Sequence, residues 1–189
     1  MSGFRVVIDA CVLVPIVKTD LLLNLAERGM FHPLWSQRIL DEMRDAILDI
    51  RADLTAAAIS RRIEAMNAIF EDALVDGWEP LESAIRGMPD PDDRHLVAAA
   101  IAGRAGLIVT DNVKDFPKAV LEQWNLTATT SDEFLLDALD LDAAAVIDSL
   151  VAMVAKRKQP PVTVDSILEG LSASGTTKFV SAVRGHLDA

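Results

Sequence analysis

The chain has 189 residues, the length of one domain or of one domain with an appendage. Hydrophobic residues make up 51%, which is enough for a core, yet charged residues interrupt every long apolar stretch and exclude a transmembrane helix. The net charge of −11 argues against a protein that binds nucleic acid non-specifically through a basic surface.

The beginning of the chain leads directly into the first predicted strand. Phe4–Ala10 is short, apolar and rich in β-branched residues, and no signal-peptide pattern precedes it. Cys11 is the only cysteine, so an internal disulfide is excluded. We therefore expect a cytoplasmic protein, in which Cys11 is a small core residue.

Short apolar strands and amphipathic helices then alternate along the chain. Further strands are predicted at 31–35, 78–81 and 107–110, and helices at 19–27, 37–50, 55–75 and 91–103. This alternation indicates an α/β fold, a three-layer α/β/α sandwich with a mainly parallel central sheet. Ligands of such sheets bind beyond the carboxyl ends of the strands.

After about Ser131 the pattern becomes purely helical. A helix is predicted at 141–156, and Gln159-Pro160-Pro161 is expected to break the chain before two shorter helices. The apolar stripe of the 141–156 helix is predicted to contain Val146, Ile147, Leu150, Val151 and Val154. We predict two parts, a first domain over 1–130 and a C-terminal helical extension over 131–189.

Acidic residues follow apolar segments at four places: Asp9, Glu42, Asp93 and Asp115. Carboxylates that converge raise one another's pKa and resist burial. A hard divalent cation such as Mg²⁺ or Mn²⁺ removes that cost, because it prefers oxygen ligands. The pattern predicts a metal site suited to hydrolysis of phosphodiester bonds.

Helical periodicity separates Glu42 from its acidic neighbours. Asp41 and Asp45 lie nearly opposite the apolar stripe of helix 37–50, whereas Glu42 lies at its flank and can reach the sheet. The predicted stripe consists of Ile39, Leu40, Met43, Ala46, Ile47 and Ile50. Arginines that recur near this helix, including Arg38, Arg44 and Arg51, are interpreted as salt-bridged surface residues, with a phosphate-binding role as the alternative.

The same periodicity distinguishes Asp93 from Asp92. Asp93 is in line with the apolar stripe of helix 91–103 and should point inward, whereas Asp92 should lie on the surface. The alternative is a capping role, in which Asp90 begins the helix and Asp93 completes a cap-like arrangement. His95 is rotated off the stripe, so we expect it to be exposed.

The remaining acids also have structural interpretations. Asp9 could form a salt bridge or cap the turn that follows it, although a carboxylate after an apolar strand is costly without a partner. Thr110, Asp111 and Asn112 are typical of a turn after a strand. Asp115 could equally cap the segment that begins at Phe116-Pro117.

Four segments, in this order, resemble PIN-domain proteins. They are VVIDACVL at 6–13, LDE at 40–42, DPDDRHLVAAA at 90–100 and IVTDNVKDFP at 108–117. The chain resembles VapC-type toxins of bacterial toxin–antitoxin pairs in particular, and the tail from about residue 131 resembles an extension carried by some of these toxins.

The resemblance implies that the acidic catalytic and metal-binding positions of the family fall on Asp9, Glu42, Asp93 and Asp115. It places Thr110 and Asn112 near the metal or the scissile phosphate. The implied activity is Mg²⁺- or Mn²⁺-dependent endoribonuclease activity on RNA, held in check by a cognate antitoxin. Apolar helix faces also leave a homodimer open.

Two other functions compete with a nuclease. A Mg²⁺-dependent phosphatase with Asp9 as nucleophile would need a second acid two residues later, where Cys11 stands. A non-catalytic binding protein would use the helices to contact a partner, and its acids would be structural. Metal titration and RNA cleavage separate these possibilities.

Overall fold

The computed structural model describes residues 4–156 and 162–188. Four short strands form one parallel sheet in the order β2-β1-β3-β4. They are β1 (Arg5–Ile8), β2 (His32–Leu34), β3 (Leu107–Val109) and β4 (Thr127–Thr129). All four strands point the same way, so the residues that follow them share one edge of the sheet.

Eleven α-helices of the described chain connect the strands and follow the last of them. In chain order they are α1 (Ala10–Leu13), α2 (Ile16–Glu27), α3 (Gln37–Ile50), α4 (Ala56–Ile69), α5 (Glu79–Glu82), α6 (Arg94–Ala102), α7 (Lys118–Leu121), α8 (Ser131–Leu141), α9 (Ala143–Lys156), α10 (Val164–Ala173) and α11 (Thr177–Leu187). Short 3₁₀ turns cover Pro91–Asp93, Val113–Asp115 and Glu122–Trp124. The predicted α/β class with a parallel central sheet is confirmed.

The chain divides into two compact units. The sheet unit comprises 1–14 and 31–129, and the helical unit comprises 15–30 and 130–189. Helix α2 belongs to the helical unit although it lies early in the sequence, a grouping that sequence pattern alone did not indicate. The predicted boundary at residue 130 stays a prediction.

The core of the sheet unit is built around β1. Val6, Val7 and Ile8 are fully buried, as expected for a strand with a neighbour on each side. The hydroxyl of Ser36 accepts a hydrogen bond from the Ile39 amide at 3.3 Å and thereby caps α3. On the other side of β2, Trp35 pairs with Leu74 in an isolated parallel bridge.

In the helical unit, α2 packs against α9 and α10, and α8 packs against α9 and α11. Thr163 and Ser166 form a reciprocal capping box at the start of α10. The apolar side chains Ile167, Leu168 and Leu171 of α10 are all buried. The predicted break at Gln159-Pro160-Pro161 lies outside the described residues. No helix of the described chain is long and apolar enough to cross a membrane.

Two predicted elements were wrong, and one strand was missed. The predicted strand 78–81 is helix α5, because Pro80 occupies a position in the first turn that favours a helix. Helix α4 ends at Ile69, not near residue 75, since the chain leaves the helix to pair Leu74 with Trp35. Strand β4 was not predicted, because the Thr-Ala-Thr of a three-residue edge strand has no apolar periodicity.

Two predicted apolar stripes also differ from the observed ones. Ile50 is 66% exposed because it is the last residue of α3. Val151 is 53% exposed, whereas Met153 and Ser149 of the same helix are buried. The buried face of α9 is therefore rotated from the predicted stripe.

Candidate functional site

Asp9 and Thr110 lie side by side at the carboxyl edge of the sheet. β1 and β3 are neighbours, and the Asp9 amide continues the ladder by donating to the Val109 carbonyl at 3.0 Å. The Thr110 hydroxyl donates to Asp9 Oδ2 at 2.6 Å. Both side chains are buried, so this charge-assisted bond fixes the orientation of the Asp9 carboxylate.

The capping interpretation of Asp9 was wrong. Asp9 stands at the N-cap position of α1, but its side chain makes no capping hydrogen bond. Its Oδ2 accepts a hydrogen bond from the Cys11 thiol at 3.1 Å. Its two described side-chain partners are thus Thr110 and Cys11, and neither carries a positive charge.

Cys11 is exposed rather than part of the core, because α1 buries Ala10, Val12 and Leu13 and turns Cys11 outward. Its sulfur atom nevertheless lies against Asp9 and near Thr110. Desolvation of the sulfur, followed by the negative charge of Asp9, raises the pKa of the Cys11 thiol to about 12. Cys11 therefore remains a neutral hydrogen-bond donor at physiological pH.

The loop after β3 brings Asp115 toward the same edge. The Asn112 amide donates to the Thr110 hydroxyl oxygen at 3.1 Å, and the Asn112 side chain donates to Asp115 Oδ2. Helix α7 begins after Pro117 without any side-chain cap, so the capping interpretation of Asp115 was also wrong. One loop thus supplies a hydrogen-bond partner for each of two candidate carboxylates, Thr110 for Asp9 and Asn112 for Asp115.

Asp93 belongs to the turn that precedes α6. Asp90 caps this turn by accepting a hydrogen bond from the Asp92 amide at 2.9 Å, whereas the Asp93 side chain makes no capping bond. The Asp93 side chain is half-buried, and that of Asp92 is 91% exposed. The predicted difference between the two neighbours is confirmed, and Asp93 is not a cap.

The pKa of Asp93 is raised to about 6. Burial is the main cause, and the negative charges of Asp9, Asp90 and Asp115 add to it in that order, while the charge of His95 opposes them. Asp93 therefore experiences the charges of Asp9 and Asp115, although the three residues come from separate segments. We call Asp9, Asp93 and Asp115 the acid cluster.

Glu42 has a different environment. Its Oε1 accepts hydrogen bonds from Arg38 Nε at 3.1 Å and lies 3.3 Å from His95 Nε2. Arg38 also contacts Glu82 Oε1 at 3.4 Å and the Asp92 carbonyl at 3.3 Å. Burial alone would raise the pKa of Glu42, but the hydrogen bonds and charges of His95 and Arg38 outweigh it and lower that pKa.

The prediction that His95 is exposed was wrong, since only 2% of its surface is accessible. Helix α6 is buried on nearly every side from His95 to Ala100, so a single apolar stripe does not describe it. The ring of Trp78 lies against the imidazole, with centroids 6.0 Å apart. The run of small apolar residues in Val97–Ala100 is the sequence signal that could have revealed this burial.

The charges of Asp9 and Asp115 thus act on Asp93, and Glu42 contacts His95, which follows Asp93 by two residues. Within 4–156 and 162–188, no three His, Cys, Asp or Glu side chains form a group that could hold a metal ion. The donor chemistry nonetheless suits a hard cation, because the cluster offers carboxylate oxygens whose mutual repulsion a positive charge would relieve.

The arginines near α3 are paired with acids. Arg44 contacts Asp41 at 2.7 Å and Asp45 at 3.0 Å, and Arg51 contacts Asp53 at 2.7 Å. These pairs agree with the salt-bridged interpretation of this surface. Such exposed pairs contribute little stability, because water and salt screen the charges.

Comparison with known proteins gives two family matches that follow one another along the chain. The family described as PIN domain matches residues 5–114, and the family described as VapC50 C-terminal domain matches residues 131–185. A protein of Mycobacterium tuberculosis named "Putative ribonuclease VapC50" is 43% identical over 79 residues. This match covers 42% of the present chain and 47% of the relative, about half of its length. No solved structure matches the chain.

Proposed function

The chain belongs to the PIN-domain family, and on that premise we propose that it is a Mg²⁺- or Mn²⁺-dependent endoribonuclease. Its substrate would be RNA, and its reaction the hydrolysis of a phosphodiester bond. The observation that carries the proposal is the acid cluster at the carboxyl edge of the parallel sheet, where the charges of Asp9 and Asp115 raise the pKa of Asp93.

A soluble domain does not gain stability from bringing carboxylates together. Asp93 has no capping bond that would account for its position, and neither Asp9 nor Asp115 caps a helix. A binding role for these acids explains an arrangement that folding alone does not favour. This reasoning supports Asp9, Asp93 and Asp115 as the residues that would hold the cation, with Glu42 completing the ligand set.

A bound divalent cation would supply neutralising charge and polarise a phosphoryl oxygen. The chain's own residues prepare the site for it. Thr110 orients the Asp9 carboxylate, and Asn112 orients that of Asp115. We therefore assign Thr110 and Asn112 the role of holding carboxylates, because their polar side-chain atoms are engaged with them.

We also propose that the protein is the toxin of a type II toxin–antitoxin pair. Support comes from the match of residues 131–185 to the VapC50 C-terminal domain and from the name of the relative. A cognate antitoxin would be its protein partner, a homodimer is possible for such a chain, and the cytoplasm would be its location, where the single Cys11 stays reduced.

Cleavage of RNA by the purified protein tests the proposal. We expect total RNA to be cut in the presence of Mn²⁺, and to remain intact when a chelator removes the metal. Asp9→Asn and Asp93→Asn should each lower the rate at least about a hundredfold, since each removes a negative charge that would hold the cation.

Asp92→Asn is the matched control, because Asp92 is adjacent to Asp93 but exposed. Its cleavage rate should equal that of the wild type. Undiminished cleavage by both purified site variants would contradict the proposal. RNA that stays uncut, together with a melting temperature that ignores Mn²⁺, would instead identify a non-catalytic binding protein.

A further inference from the structure

His95 is a buried polar side chain for which the four predicted acids leave no role. Its ring is 2% exposed, and its Nε2 lies 3.3 Å from Glu42 Oε1. Its other ring nitrogen, Nδ1, is buried without a hydrogen-bond partner in the described part of the chain. The contact with Glu42 is therefore the polar interaction that replaces the hydrogen bonds to water which the buried imidazole has lost.

The chemistry of the two groups determines which one donates the hydrogen bond. A carboxylate oxygen accepts hydrogen bonds, so Nε2 must carry the hydrogen and donate it to Oε1. The side chain of Trp78, itself buried, lies against the imidazole and limits its rotation.

Arg38 acts on the same oxygen of Glu42. Its Nε donates to Oε1 at 3.1 Å, and its guanidinium also reaches Glu82 and the Asp92 carbonyl. Oε1 is thus held by donors from two elements, α3 and α6. None of the described residues forms a hydrogen bond with Oε2, and the Glu42 side chain is 40% exposed.

His95 also stands near the acid cluster. It follows Asp93 by two residues in the chain, while its ring contacts Glu42 on a different helix. His95 therefore connects Glu42 to the segment that carries Asp93. Arg38 provides a second link, since it donates to Glu42 Oε1 and to the Asp92 carbonyl beside Asp93.

We infer that His95 is a positioning residue: its Nε2–H hydrogen bond to Oε1 fixes the Glu42 carboxylate so that Oε2 is available to the divalent cation. The inference rests on the proposed ribonuclease function. Groups that orient metal ligands typically change metal affinity or activity by about 10–100-fold when they are removed.

The test measures Mn²⁺ affinity by calorimetric titration of the purified full chain without RNA. His95→Phe keeps an aromatic ring but removes the donor, and should weaken Mn²⁺ binding at least about tenfold. His95→Gln can place an amide N–H near the position of Nε2, and should restore affinity to within about threefold of the wild type. A residue that only fills space would show the opposite order.

Three further variants keep the result interpretable. His95→Asn carries a shorter amide that cannot reach Oε1, so it should bind Mn²⁺ at least about tenfold more weakly than the wild type. If His95→Phe fails to fold, His95→Asn takes its place in the comparison with His95→Gln. In a Glu42→Gln background, His95→Phe should cause no additional loss. His32→Phe, at the amino end of β2, is the matched control and should bind Mn²⁺ as the wild type does.

Cleavage kinetics provide the second measurement. His95→Phe should lower kcat at least about tenfold while KM for RNA stays within about threefold, because His95 would act through Glu42 and not on the substrate. Unchanged Mn²⁺ affinity in folded His95→Phe, or His95→Gln as defective as His95→Asn, would overturn the inference alone. A wild-type chain that binds no Mn²⁺ would overturn the proposed function as well.

Discussion

Asp93 differs from its neighbour Asp92 in the charge that surrounds it. Burial and the charges of Asp9, Asp90 and Asp115 raise the pKa of Asp93 to about 6, whereas Asp92 projects into solvent. In the metal-free protein, ionised Asp93 must therefore be kept in an unfavourable field. This cost is present at neutral pH and absent once the carboxyl is protonated.

The raised pKa predicts how the stability of the metal-free protein depends on pH. Because the folded pKa lies above the ordinary value of 3.8, the folded state holds the proton more tightly than the unfolded state does. The contribution of Asp93 to stability is full below pH 3.8 and is lost as the pH rises to about 6. Since Asp93 is only half-buried, solvent screening reduces the loss to roughly 1 kcal/mol.

Asp93→Asn removes this dependence. We expect the variant, measured by urea unfolding in a chelator at neutral pH, to be more stable than the wild type by roughly 1 kcal/mol. Asp92→Asn should leave both stability and its pH dependence unchanged. A metal-free Asp93→Asn protein that is less stable than the wild type would show that Asp93 stabilises the fold.

The sequence pattern predicted the exposure of individual residues correctly where one face of a helix is buried. It was wrong where the helix is buried on nearly all sides. The separation of Asp93 from Asp92 followed from helical periodicity, because Asp93 is in line with the apolar stripe. His95 was misplaced, since α6 is enclosed on nearly all sides. Hydrogen-bond partners such as Thr110 for Asp9 depend on strand order, which the sequence does not state.

At the scale of elements, Asp132 joins two helices of the helical unit. Thr176 occupies the N-cap position of α11 but provides no side-chain cap. Asp132, from α8, fills this role: its carboxylate accepts hydrogen bonds from the Lys178 amide at 3.2 Å and the Phe179 amide at 2.8 Å. The positive end of the α11 dipole also favours this buried charge.

Asp132→Ala should therefore destabilise the helical unit. We expect a loss of about 1–3 kcal/mol, because two backbone donors at a helix start lose a charged acceptor. Denaturant unfolding would measure the loss, and hydrogen exchange should locate it in the first turns of α11. Asp137→Ala, an exposed position on the same helix, is the control. Equal effects of the two substitutions would contradict the capping role.

The predictions of helices and strands were wrong where local sequence signals compete with β pairing. Strand β4 has too few residues and too little apolar character to be recognised, yet its backbone pairs with β3. Around residue 74, pairing with Trp35 ends a segment that otherwise looks helical. Strong local signals lie at helix starts, where the Ser36 and Thr163 side chains cap α3 and α10.

At the scale of the whole molecule, two family matches follow one another along the chain. The predicted resemblance to PIN-domain proteins with a VapC-type C-terminal extension is confirmed. The net charge of the chain is −11. The arginines near α3, such as Arg44 and Arg51, form ion pairs with acidic residues and so leave little positive charge for an RNA substrate. In the proposed RNA chemistry, a divalent cation would supply the positive charge at the acid cluster.

The order of the four acidic motifs along the chain was predictable, because each motif follows a recognisable apolar segment. The grouping of α2 with the C-terminal helices was not, because it depends on packing between segments far apart in sequence. The same limit applies to Glu42, whose partners Arg38 and His95 became clear only from the folded arrangement of α3 and α6.

Titration of Mn²⁺ into the metal-free protein by calorimetry tests the central claim most directly. We expect one cluster-dependent binding event, which Asp9→Asn and Asp93→Asn each weaken at least about tenfold and which Asp92→Asn leaves unchanged. Binding of equal strength by the wild type and both cluster variants, or no binding by the wild type, would contradict the claim that Asp9, Asp93 and Asp115 hold a divalent cation.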